Sequence, residues 1–179
     1  MHQQVRLRLQ AVGLLAITAV AGLTGCAAHA NVAREGTERF VLSSDSAASN
    51  PDYSATASGL FADRGTFPGI GNGRNASMAK LAGGTFVVTH PSADAKTTLQ
   101  TVNSHTCAVV FEQKGTFTVG KGTGAYKGIT GYGTDTAHFT GVLPKDADGK
   151  CDTSASASPV QGSTHAVITA TGSILIPPS

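Results

Sequence analysis

Val119-Gly120-Lys121-Gly122-Thr123-Gly124-Ala125-Tyr126-Lys127-Gly128-Ile129-Thr130-Gly131-Tyr132-Gly133 is the stretch on which the reading of this chain turns. Six of its fifteen residues are glycine. Glycine permits positive φ and close backbone approach, so the segment reads as a sharp turn that packs one aromatic, Tyr126, and then enters a strand.

On both sides of it the pattern is that of strands. Thr106 to Gln113 places Cys107, Val109 and Phe111 on one face, and Gly115 to Val119 continues with Phe117 and Val119 in phase. After the turn, Tyr132 to Thr140 alternates Thr134, Thr136 and His138 against Asp135, Ala137 and Phe139. Thr85 to His90, Thr97 to Val102, Ser163 to Ile176 and Tyr53 to Ala62 are further β-branched or alternating runs bounded by turn residues. Gly172 is expected to mark a bulge or bend. From Tyr53 onward helix signals are poor. Seven or eight strands separated by loops predict an all-β domain, a single antiparallel barrel or a sandwich. In a barrel, Tyr126 would plug one end.

The ten-residue pattern Gly122-Thr123-Gly124-x-Tyr126-x-Gly128-x-x-Gly131, followed by an alternating strand, resembles the hallmark turn of the allene oxide cyclase and dirigent-like barrels. The likeness extends over about residues 80–142, and Lys121 stands where many of those proteins have glycine. The resemblance implies an antiparallel β-barrel of about eight strands with a largely apolar interior. It carries over no catalytic residue. No acidic motif matches around Tyr53 to Asp63, and the dirigent acid and arginine positions have no counterpart here.

The N-terminus reads as an address. Arg6 and Arg8 precede Ala11 to Leu23, a mostly apolar run of 13 residues. That is short of the roughly 20 needed to span a bilayer and suits a signal core. Leu23-Thr24-Gly25-Cys26 resembles the lipobox of bacterial lipoproteins. The resemblance implies cleavage before Cys26, acylation of its thiol, and a domain held on the extracytoplasmic side of a bacterial membrane through the lipid. The chain accordingly divides into a signal peptide (1–25), a lipidated Cys26 with a flexible tether (26–52), and the barrel domain (53–179). Within the tether, Glu38 to Ser43 reads as either a short strand or a loose helical turn.

Removing 25 of the 179 residues leaves 154, enough for one domain with a core. Without Arg6 and Arg8, the 13 Lys and Arg fall to 11, equal to the 11 Asp and Glu. A formally neutral domain with no basic, aromatic-lined stripe is not expected to bind nucleic acid. Export favours a Cys107–Cys151 disulfide, with two free thiols as the alternative.

Motifs of chemistry are weak. Gly115-x-x-x-x-Gly120-Lys121 imitates a phosphate loop, but Gly122 occupies the Ser/Thr position. His90, His105, His138 and His165 show no paired ligand spacing, and Asp146 to Asp152 lacks the glycine placement and closing Glu of a calcium loop. No metal and no cofactor are expected. The leading reading is a non-catalytic binding barrel for a small apolar or amphipathic ligand. Phe86, Val88, Val109, Phe111, Phe117, Tyr126 and Phe139 are expected to line or close its cavity, although a one-residue slip in register would reverse that set. A cyclase or isomerase is the second reading. It needs an ionisable group inside, and the candidates Glu112, His138 and Asp135 are each placed on the solvent face. The third is a structural lipoprotein with its barrel filled solid. Gly69 to Arg74 reads as a long connection or a lid over the barrel mouth.

Overall fold

The structure is a computed structural model that describes residues 32–46, 51–68, 75–91, 95–154 and 157–178. The signal peptide, Cys26 and the Gly69–Arg74 loop lie outside them. Nine strands follow one another: β1 (Arg34–Ser44), β2 (Asp52–Gly59), β3 (Asp63–Pro68), β4 (Ala76–Leu81), β5 (Gly84–Thr89), β6 (Lys96–Val102), β7 (Ala108–Gly120), β8 (Thr130–Val142) and β9 (His165–Ile176). All pairings are antiparallel, in the order β5-β4-β3-β2-β1-β9-β8-β7-β6. A further pairing of β5 with β7 (Val87 opposite Gly120, Thr89 opposite Thr118) closes the sheet. The result is the expected all-β architecture, a closed eight-stranded antiparallel barrel, with β6 as one extra strand outside the closure.

Alternation decides which side chains enter the barrel. On β2, Tyr53, Ala55 and Ala57 are buried while their neighbours are exposed, and β4 does the same with Ser77, Ala79 and Leu81. The β7–β8 register sets Phe117 opposite Gly133 and Phe111 opposite Phe139. Gly172 keeps an unbroken register with both Gly133 and Glu38, so it marks no bulge.

The main correction concerns residues 34–44. They are not tether but β1, which pairs along its whole length with β9 and also with β2; the strand alternative for Glu38 to Ser43 holds, and the strand is longer than those six residues. Its pattern was obscured because Glu38 lies in phase with Phe40 and Leu42 on the inner face, where an apolar residue is the rule. The Ser-rich residues that follow it resembled linker. Two shorter corrections follow from the same ladders. The runs 106–113 and 115–119 are one strand, β7, and the run expected over 53–62 is β2, which ends at Gly59 so that residues 60–62 make the turn into β3.

The glycine-rich segment forms the turn that enters β8. A 3-10 turn, Gly124–Tyr126, drives the Tyr126 ring inward, leaving it 3% exposed. A Cβ on Gly122 would stand 1.8 Å from the Tyr126 carbonyl oxygen, so the turn demands glycine there. Lys121 adopts φ of 54°, the left-handed region that glycine would occupy without strain.

Cys107, 1% exposed at the foot of β7, is bonded to Cys151 in the β8–β9 connection.

Candidate functional site

The barrel is closed at one end and hollow toward the other. At the closed end Phe40 meets Phe61, Phe86 and Phe117 at ring-centroid distances of 6.1, 5.9 and 6.4 Å, and Tyr126 meets Phe61 and Phe86 at 4.9 and 5.3 Å. These tilted and edge-on contacts make a continuous aromatic floor. The Tyr126 hydroxyl donates to the Asp63 carboxylate, which also accepts the Gly83 and Ala82 backbone N–H groups at 2.8 and 3.2 Å. Asp63 thus ties the β4–β5 turn to the glycine-rich turn. The Tyr126 hydrogen bond, with those N–H groups, holds its carboxyl below the usual range. Burial, and then the bond to Asp63, pushes the Tyr126 phenol well above its ordinary value.

Above this floor lies a cavity of about 280 Å³, close to the lower end of small-molecule sites. An eight-stranded barrel is only just wide enough for its side chains to fill. Here Ala55, Ala79, Ala137 and Ala170 take inward positions around the cavity, and their short side chains leave the space. The barrel is therefore not filled solid. Tyr53, Phe67, Phe86, Val88 and Phe117 supply much of the remaining wall, and burial keeps the Tyr53 phenol protonated by pushing it above its ordinary value.

Of the seven residues expected to line or close the cavity, Phe86, Val88, Phe117 and Phe139 line it. Tyr126 closes the opposite end. Val109 and Phe111 are not among the lining residues: they sit further along β7, where it has left β5 behind and pairs with β6. Phe111 instead packs on Phe139 at 5.9 Å. The reading of Asp135 as solvent-facing is overturned. It shares the inward phase of Ala137 and Phe139 and lies on the cavity wall beside His90, with His90 Nδ1 3.6 Å from Asp135 Oδ1. His138 is exposed on the outer face, and Glu112 bonds outward to Thr98. His105 is exposed, and His165 pairs with Asp45 at the surface. Among the described residues no three His, Cys, Asp or Glu side chains converge as metal ligands.

Sequence reading missed Glu38 altogether. It is fully buried in the closed end, where Oε2 accepts the Phe61 N–H at 3.0 Å and Oε1 has no partner among the described residues. Burial pushes its carboxyl above the usual range, against the backbone N–H bonds that pull it down. A carboxyl raised by folding ionises first in the unfolded chain. Its share of stability is therefore intact below the usual carboxylate pKa and is lost as pH climbs through the raised folded value. Glu38→Gln should consequently flatten the stability profile over that window and leave the variant the more stable protein above it. Urea midpoints across pH 4–8 check this, and parallel profiles for the two proteins would contradict it.

If the alanines leave real space, larger residues should fit. The pair Ala55→Leu and Ala137→Leu, on walls three strands apart, is expected to cost less than the about 1–3 kcal/mol typical of an overpacked core. Urea unfolding of the double variant measures the difference.

Comparison of the chain with protein-family models, with curated proteins and with solved structures finds no match.

Proposed function

We propose that this chain is an exported, lipid-anchored β-barrel of the allene oxide cyclase/dirigent-like kind that holds one small apolar or amphipathic molecule without transforming it. The observation that carries the reading is the alanine-walled cavity above the aromatic floor. A barrel needing only mechanical stability would gain about 25 cal/mol per Å² by filling that space with larger apolar side chains. Keeping it hollow has a use if something occupies it. Leu23-Thr24-Gly25-Cys26 supports the anchor, and a disulfide-linked domain is consistent with an oxidising, extracytoplasmic location. Membrane attachment through lipid on Cys26 and a hydrophobic ligand are the partners proposed.

Asp135 on the cavity wall keeps a second reading in play, an enzyme of cyclase or isomerase type, because such chemistry needs an ionisable group against the substrate. The binding reading is preferred because, among the described residues, His90 and Asp135 are not hydrogen-bonded to one another and no Ser or Cys nucleophile lines the cavity beside them. The test is native mass spectrometry and solvent extraction of the full chain made in a bacterial envelope. A molecule retained at one copy per barrel and released unchanged supports binding. Conversion of that molecule on incubation with fresh protein supports the enzyme, and repeated recovery of empty protein contradicts both.

A further inference from the structure

The inference rests on the reading of the barrel as an apolar-ligand site and adds the chemistry of the ligand's polar end. Most of the cavity wall is apolar, and apart from the Tyr53 phenol on β2 its ionisable side chains, His90 and Asp135, lie on the side where β7 and β8 meet the segment after β5. Asp135 is set there by a specific local choice. Its register partner on β7 is Gly115, and a Cβ on Gly115 would stand 3.2 Å from Asp135 Oδ1, so the missing side chain gives the carboxylate room against the wall. The Asp135 side chain is 12% exposed, and Oδ1 is buried with no hydrogen bond among the described residues. His90 Nδ1, at 3.6 Å, lies outside hydrogen-bond distance. Buried carboxylate oxygens are normally satisfied, and one that is not marks a place where a donor belongs.

We propose that this donor is the terminal hydroxyl of a neutral amphiphile, whose apolar body lies among Ala55, Ala79, Ala170 and Phe117 while its head meets Asp135. Other heads fit the charges less well. A carboxylate would set like charge against a desolvated Asp135, where screening is weak. An ammonium would have to shed its water to meet a single buried carboxylate, and a buried ion pair repays that loss only when the remaining N–H donors also find partners, which the surrounding alanines and Phe117 do not offer. A hydroxyl supplies the missing hydrogen bond without either cost, and a hydrogen bond to a charged acceptor is among the stronger ones.

The test displaces a neutral fluorescent reporter, N-phenyl-1-naphthylamine, from the full chain with four ligands of equal chain length: decan-1-ol, decyl methyl ether, decanoate and decylammonium. Decanol is expected to compete about tenfold more strongly than the ether, which accepts but cannot donate, and more strongly than either ion. Asp135→Leu should erase the difference between alcohol and ether while still binding the reporter. The proposal is overturned if the ether matches the alcohol, if decanoate or decylammonium binds tightest, or if Asp135→Leu keeps the preference for the alcohol. The four-ligand comparison on the unaltered chain decides the matter even if that variant does not fold. Failure of the unaltered chain to bind the reporter would instead sink the binding reading itself.

Discussion

Truncating Phe86 to alanine is expected to cost about 3–5 kcal/mol of stability, the range for removing a fully buried aromatic. Phe86 is 1% exposed and bridges the two halves of the aromatic floor, touching Phe40 on one side and Tyr126 on the other. Its loss removes both ring contacts and leaves a void that continuous backbone ladders on β4, β5 and β7 prevent from collapsing. The same void joins the existing cavity, because Phe86 is part of its wall. Two readouts therefore move together: the urea midpoint falls, and the barrel accepts a bulkier apolar ligand than the parent. A midpoint within about 1 kcal/mol of the parent would mean that the floor is not packed as described.

Replacing both Cys107 and Cys151 by serine is expected to be comparably severe, at about 4 kcal/mol on loop-closure entropy for a separation of 44 residues. The bond does more than shorten the unfolded chain. It ties the β8–β9 connection to the β6–β7 turn, on a part of the sheet that extends past the closed barrel, where β6 is exposed along its whole length. Local opening should therefore begin there in the serine variant. Hydrogen exchange would show β6 and the 103–108 turn losing protection first, with β1 and β9 retaining theirs. Uniform loss of protection would argue that the bond acts on the unfolded chain alone.

How much of this was legible in the sequence depended on whether local pattern or distant contact carried the feature. The alternation of β7 and β8 assigned Phe117, Ala137 and Phe139 to one surface correctly, because each lies in a run where every second residue is small or polar. The glycine-rich turn marked the inward Tyr126 for the same local reason. Glu38 is not singled out and Asp135 is read outward because an acid on an inner face contradicts the rule that charge faces water. One is buried with a backbone N–H on a single oxygen, and the other sits against a glycine. In both cases the compensating group is 20 or more residues away. The Asp63–Tyr126 bond spans 63 residues and joins two turns, so no periodicity could reveal it. Val109 and Phe111 were placed with the cavity because they keep the phase of Phe117. What removes them is the point at which β5 ends, a fact of the closed sheet rather than of β7's own sequence.

The central claim is that the hollow, alanine-walled interior is a site that accepts an apolar molecule. Titrating N-phenyl-1-naphthylamine into the full chain, and into the chain carrying Ala55→Leu and Ala137→Leu, tests it most directly. One reporter per barrel is expected to bind the first. The second should stay folded and lose that binding by at least about tenfold, because two leucines occupy the space. Equal binding to both proteins would place the reporter elsewhere on the surface and contradict the claim.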